Sequence, residues 1–215
     1  MILMRIFIDF NIKPTNYSKD SLLEFINMAL HLGYRALVIE ISSNEEAELI
    51  KSLSGKRVKL YTRYTILAHS PSELKKTSRK VRWTDLIIAE CFNQETARIA
   101  AKLENIHAIL IPPEKLSLIN ERQINSMKMK ERPLEIKFMD IFYTQNLQNT
   151  IRLIAKYLIS ASSKIPIIIS SGAKEPSEMR SPRDMIALFS ILGLNQEKTL
   201  DMISKNPYSL IRRLA

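Results

Sequence analysis

The sequence predicts an α/β protein built on a parallel sheet with helices packed against it, and three observations carry that reading. Short apolar runs recur along the chain, and amphipathic stretches of helical period separate them. The runs are continuous rather than alternating, as expected of strands covered on both faces. Hydrophobic residues make up 46% of the 215 positions, enough to bury one sizeable core, so a single domain over 1–215 is expected.

Taken in order, the first strand falls at 5–10, ending on Asp9 and Phe10. A helix over 18–32 follows, with Leu22, Phe25, Ile26 and Ala29 on one stripe and Gly33 as a left-handed stop. The unit repeats as a strand at 36–41, a helix over 44–53 capped by Gly55, and a strand at 58–66. The next helix opens at Ser70-Pro71, a cap followed by proline at the first helical position. Further strands are expected at 86–90, 108–111, 134–139 and 166–170, with helices at 93–103, near 119–129 and at 147–160. After Gly172 no eighth strand is legible, only helical pieces at 182–192, 196–204 and 208–214. Seven strands alternating with helices fit a compact or incomplete barrel as well as an open, doubly wound sheet.

Composition excludes several classes. No run approaches the ~18 apolar residues of a membrane span, and no signal segment is read at the start, so a cytoplasmic protein is expected. The lone Cys91 allows no intrachain disulfide, and without a base near it in sequence it is expected as a buried, reduced thiol rather than a nucleophile. Glycine occurs only four times, which leaves no glycine-rich phosphate cradle and argues against nucleotide-binding loops.

Charge is the strongest functional signal. The chain carries a net charge of +10, and residues 51–82 hold ten basic side chains against one acidic. A surplus concentrated in this way is the footprint of a polyanionic partner, because each cation set beside a phosphate releases a condensed counterion. If 72–83 is helical, Lys75, Lys76, Arg79, Lys80 and Arg82 fall within an arc of about 160°, opposite Leu74 and Val81. Like charges at that spacing repel, so a chain without an anionic partner gains nothing from them. Tyr61, Tyr64 and Trp83 lie beside this segment, where they fit the core better than base stacking.

A second cationic group follows the last strand. Ser181 reads as a cap, Pro182 as the first helical residue and Asp184 as the returning carboxylate, which leaves Lys174, Arg180 and Arg183 free to meet an anion.

Protein-borne catalysis has weaker support. Asp9, Glu40, Glu90 and Asp140 fall at or just after strand ends, where barrel enzymes keep their active sites, and with His69 they outline a metal-dependent phosphoesterase as the alternative. Against it, no two histidines stand at metal-ligand spacing, and basic neighbours such as Arg63 are available to pair the carboxylates.

The motif Ser170-Ser171-Gly172-Ala173-Lys174, followed by Arg180-Ser181-Pro182-Arg183-Asp184 and by Leu188 and Leu192-Gly193-Leu194, resembles the C-terminal signature of RNase P protein component 3. That family is the archaeal counterpart of the thirty-kilodalton RNase P subunit. The likeness extends to Asp9-Phe10-Asn11, Leu60-Tyr61-Thr62-Arg63, Asn206-Pro207 and Arg212-Arg213, and so spans the chain. It implies a distorted TIM-like barrel in the ribonucleoprotein that removes 5′ leaders from precursor tRNA. The polypeptide would hold no catalytic residues and no cofactor, with Mg²⁺ carried by the RNA. It further implies RNase P RNA, precursor tRNA, RNase P protein component 2 and other RNase P subunits as partners. On that basis Arg63, Lys75, Lys76, Arg79, Lys80, Arg82, Lys174, Arg180 and Arg183 are the expected RNA contacts. The polymerase-and-histidinol-phosphatase barrels place two histidines after the first strand, where this chain has Asp9-Phe10-Asn11.

Overall fold

The computed structural model describes residues 5–213. Seven parallel strands form one sheet in chain order: β1 (Ile8–Ile12), β2 (Ala36–Glu40), β3 (Lys59–Ala68), β4 (Leu86–Cys91), β5 (Ala108–Leu110), β6 (Leu134–Lys137) and β7 (Ile167–Ser170). The connections carry α1 (Lys19–Leu32), α2 (Asn44–Leu53), α3 (Pro71–Lys80), α4 (Gln94–Ala100), a 3₁₀ turn (Pro113–Leu118) with α5 (Glu121–Met129), and α6 (Phe138–Phe142). Next come α7 (Leu147–Leu153), a π segment (Ile154–Leu158) and α8 (Ile159–Ser162), which together make the single helix expected over 147–160, loosened by one wide turn. The chain finishes with α9 (Pro182–Ile191), α10 (Gln196–Met202) and α11 (Lys205–Arg212). The last helix begins earlier than expected, and its expected end at Leu214 lies outside the described residues.

The sheet curls into a nearly closed barrel, which resolves the alternative left open by the sequence. After β7 the chain runs back beside β1: Gly172 N–H donates to the Asn11 carbonyl at 3.0 Å and Lys13 N–H to the Ala173 carbonyl at 2.8 Å. The seam is short, and a side chain reinforces it, with Ser171 N–H donating to Asp9 Oδ1 at 2.9 Å. Gly172 takes φ +72° there, with Lys137 Cβ 3.2 Å from where a Cβ would sit, so this turn admits little but glycine.

At the amino end of the barrel the seam gapes, and the C-terminal helices fill it. Ile8 N–H donates to the Ile203 carbonyl at 3.0 Å and Asn206 Nδ2 to the Ile167 carbonyl at 2.7 Å. Leu210 and Ile211 of α11 pack among Ile8, Phe10, Val38 and Ile168, so the last helix floors the barrel. The larger core lies between sheet and helices, where the stripe of α1 (Leu22, Phe25, Ala29) meets the outward side chains of β2 and β3. Gly33 ends α1 in the left-handed conformation (φ +90°) and returns its N–H to the carbonyls of Ala29 and Leu30, as the sequence predicts.

Other boundaries also differ from expectation, and the first strand, expected at 5–10, runs from Ile8 to Ile12. The third strand continues to Ala68. The sixth stops at Lys137 because Met139 N–H bonds to the Ser171 carbonyl and the chain turns into α6, which moves Asp140 off a strand end and into a helix. The cap of α2 is Ser54 rather than Gly55.

Candidate nucleic-acid interface

Inside the barrel, side chains alternate toward the axis, and the lower part is apolar while the upper part is ionic. Arg63 enters from β3 and is completely buried. Its Nη1 donates to Glu135 Oε1 of β6 at 2.8 Å and to the Phe10 carbonyl at 2.8 Å, while Nη2 donates to Thr65 Oγ1 at 3.1 Å. Glu40, the strand-end residue paired in register with Arg63, places Oε2 3.1 Å from Arg63 Nε and accepts from Thr65 N–H at 2.6 Å. Burial alone would depress the Arg63 pKa; the carboxylates of Glu135 and Glu40 outweigh it and hold the guanidinium above its ordinary value.

Glu135 Oε1 also accepts from Ser170 Oγ at 2.7 Å and Asn11 Nδ2 at 3.3 Å. Nearer the mouth, Lys137 stands 3.0 Å from Asp140 and 3.7 Å from Glu90, and a cavity of about 460 Å³ opens above these groups. Burial raises the Glu90 pKa against the pull of Lys137, and Lys137 itself is held high by Glu90 and Asp140 despite its own burial.

This network corrects one expected RNA contact. Arg63 is no surface cation: phosphate cannot reach it, and its charge is spent on two carboxylates of the barrel. Glu135 is the functional residue that sequence reasoning missed. One signal was available, a charged side chain inside the apolar run of a strand covered on both faces, which requires a buried partner.

The network also engages the groups of the phosphoesterase alternative. Asp9 serves the β1–β7 seam, Glu40 holds Arg63 and Thr65, and Glu90 and Asp140 share Lys137. His69 stacks on Phe92 with ring centroids 4.9 Å apart. Glu40, Glu90 and Asp140 line the mouth cavity, Asp9 and His69 do not, and among the described residues no three His, Cys, Asp or Glu side chains are grouped to hold a metal. Cys91 is buried in β4, where loss of hydration pushes its thiol up to about 12.

The surface cations have the opposite character. Ser70 caps α3 by accepting from Glu73 N–H, Pro71 fills its first position, and only Leu74 and Ser78 are buried, so the rest of the helix faces water. Lys75, Lys76, Arg79 and Lys80 are all exposed on it. Arg82 is exposed too, but it lies past the extended cap residue Val81 and does not continue the helical arc. Among the described residues none of the five has a carboxylate within ion-pairing distance. Trp83 and Tyr64 meet edge to face at 5.3 Å and pack against the core, and Tyr61 packs inside the barrel, as their positions beside strands predict.

The second cationic group is differently placed. Ser181 and Asp184 form the expected capping box at the start of α9. Lys174 and Arg183 are exposed. The partly buried Arg180 guanidinium donates to the carbonyls of Ser177 at 2.9 Å and Met179 at 3.1 Å. Glu175, Glu178 and Asp184 stand in the same short segment, and Glu178 accepts from Lys174 N–H at 2.7 Å.

Fold and charge together define a TIM-like α/β barrel with an ionically sealed interior and a strongly basic flank. The chain belongs to the RNase P subunit p30 family, whose model matches residues 6–215. It is 22% identical over 214 residues to Ribonuclease P protein component 3 of Methanococcoides burtonii, covering 97% of this chain and 88% of that protein. It is 25% identical over 191 residues to the Aeropyrum pernix protein of the same name, covering 87% and 88%. Against Protein GAMETOPHYTE DEFECTIVE 1 of Arabidopsis thaliana the identity is 27% over 159 residues, but the match spans only 27% of that longer protein. The fold superposes on a chain of an archaeal ribonuclease P solved with mature tRNA (TM-score 0.79, 18% identity, 96% of this chain and 90% of that one). It also superposes on a putative prolidase from Bifidobacterium longum (TM-score 0.64, 10% identity, 97% and 70%), a likeness of barrel fold alone. Among the described residues no helix is long and apolar enough to cross a membrane.

Proposed function

We propose that this chain is a protein subunit of ribonuclease P that supports RNA-catalysed removal of 5′ leaders from precursor tRNA in the cytoplasm. The observation that carries the reading is the family match over residues 6–215, joined to a block of exposed cations on and beyond α3 that make no ion pair among the described residues. In this reading Lys75, Lys76, Arg79, Lys80 and Arg82 neutralise phosphates of the RNase P RNA or of the precursor tRNA, and their work is electrostatic and positional. Bond cleavage belongs to the RNA and its Mg²⁺, and the protein acts together with RNase P protein component 2 and the other protein subunits.

The test is cleavage of a 5′-extended precursor tRNA in Mg²⁺ by the cognate RNase P RNA alone, with this protein, and with this protein plus component 2, beside a protein-only lane. Stimulation by the pair with an inert protein-only lane supports the subunit role. No stimulation by any combination removes it, and cleavage by protein alone would return the chemistry to the polypeptide.

A further inference from the structure

All seven strands run in one direction, so every helix-to-strand connection returns to one end of the barrel, the end floored by α11. The exposed charges are arranged differently at the two ends. The strand-to-helix end, with the mouth cavity, is mixed: Glu45, Glu73, Glu95, Glu114, Glu175 and Asp184 stand there with Lys13, Lys19, Lys174 and Arg183. The opposite end is cationic where β2, β3 and β4 begin. Arg35 precedes β2, Lys56 and Arg57 occupy the α2–β3 connection, Lys59 opens β3, and Arg82 lies in the α3–β4 connection; all five are exposed.

These cations are neighbours in space. Lys59 N–H donates to the Arg35 carbonyl at 2.9 Å, and Lys59 pairs in register with Ala36. The α2–β3 connection is a compact turn, with Gly55 N–H donating to the Val58 carbonyl at 3.2 Å and Leu60 N–H to Ser54 Oγ at 3.0 Å, which projects Lys56 and Arg57 outward. The α3–β4 connection is tied alongside by Asp85, whose Oδ2 accepts from Thr62 N–H at 2.7 Å and Thr62 Oγ1 at 2.8 Å. The one carboxylate in this stretch is thereby turned inward.

Helix dipoles explain part of the pattern: Lys51, Arg79 and Lys80 sit in the last turns of α2 and α3, where a cation is favoured. They do not explain Arg35, Lys56, Arg57, Lys59 and Arg82, which lie beyond the helix ends and have no ion-pair partner among the described residues.

We infer that the RNA-contacting surface of this protein is the amino-terminal end of strands β2 to β4 together with the last turn of α3, the opposite end from the one that holds active sites in barrel enzymes. The identification of the partner as RNA rests on the proposed function above; the position of the surface rests on the charge map. On this assignment Lys174, Arg180 and Arg183, at the mouth end among carboxylates, lie outside the contact.

The experiment compares two triple variants that each remove three positive charges. One is Lys56→Gln/Arg57→Gln/Lys59→Gln at the amino-terminal end, the other Lys13→Gln/Lys174→Gln/Arg183→Gln at the mouth. The probe is a random-sequence RNA duplex, titrated with each full-length protein over a range of salt, with thermal melting of each variant as the fold control. The expected result is a salt slope lowered by about two to three units in the first triple and essentially unchanged in the second. Equal losses would mean that binding follows net charge alone, and a larger loss at the mouth would reverse the assignment; either outcome overturns it, as does failure of the wild type to bind the duplex. Cleavage by the reconstituted ribonucleoprotein is scored separately. Duplex binding that follows the first triple, without any stimulation of cleavage by the wild type, would leave the surface standing and remove the subunit role.

Discussion

Arg63 of β3 and Glu135 of β6 meet across the barrel at 2.8 Å, neither side chain reached by solvent. Strands three places apart in the sheet are thereby joined through the interior, and Glu40 and Thr65 complete the shell around the guanidinium. Burying such a pair offers little net stability over an apolar one, but removing one member strands the other. Arg63→Met is therefore expected to lower the unfolding free energy by about 3–5 kcal/mol, and Arg63→Met/Glu135→Leu to recover most of it. Urea denaturation measures both. A near-neutral single variant that nonetheless lost RNA binding would restore Arg63 as a surface contact.

Asp9 gives a pH signature. Burial is the main cause that lifts its carboxyl from 3.8 to about 6, against hydrogen bonds from Ser171 that pull it down, and Oδ2 has no partner. Between those two values the folded protein binds the proton more tightly than the unfolded chain does. Stability from this group is thus greatest in acid and falls as pH rises through the window, by about 3 kcal/mol at neutrality. Asp9→Asn keeps an acceptor for Ser171 N–H and should abolish that component. Unfolding free energies of the two proteins between about pH 4 and 7 decide it; parallel curves would place the carboxyl near its ordinary value.

Cys91 should be silent in the native state. With its thiol raised to about 12, almost no thiolate exists at neutral pH, and the sulfur is shielded inside β4. Ellman's reagent is expected to titrate one thiol in denaturant and none without it. Rapid native labelling would show that β4 opens.

On α3, Lys76→Glu/Arg79→Glu reverses two exposed charges. Cleavage by the reconstituted enzyme should weaken at low Mg²⁺ and recover as Mg²⁺ is raised, because added counterion substitutes for lost cations. Melting should be unchanged. Cleavage equal to wild type at every Mg²⁺ concentration would take this helix out of the interface.

Much of this architecture is legible in the sequence, and what is not has physical reasons. The caps Ser70, Ser181 and Gly33 could be read because their roles are local, decided by backbone groups within three or four residues. Barrel closure could not, since the β1–β7 seam rests on Asn11, Lys13 and Ala173 meeting across the length of the chain. The sign of a charge is equally visible at Arg63 and Lys76, but its direction is not: one points down the barrel axis and the other into water, and strand register with Glu40 makes the difference. Glu135 went unread for the same reason, as a polar letter in an apolar run whose partner lies three strands away.

The floor laid by α11 bears on how the chain reaches this state. Among the described residues Leu210 and Ile211 are the only side chains from outside the sheet in the apolar interior cluster, so until residues 205–212 are available the cavity between Phe10, Val38 and Ile168 stands open to water. A chain emerging from the ribosome can assemble its βα units in sequence, each on the last, but the barrel cannot exclude solvent until the final helix arrives. The cooperative transition thereby waits on residues 205–212, and the half-built barrel before it is the species that a chaperone or a protease would meet.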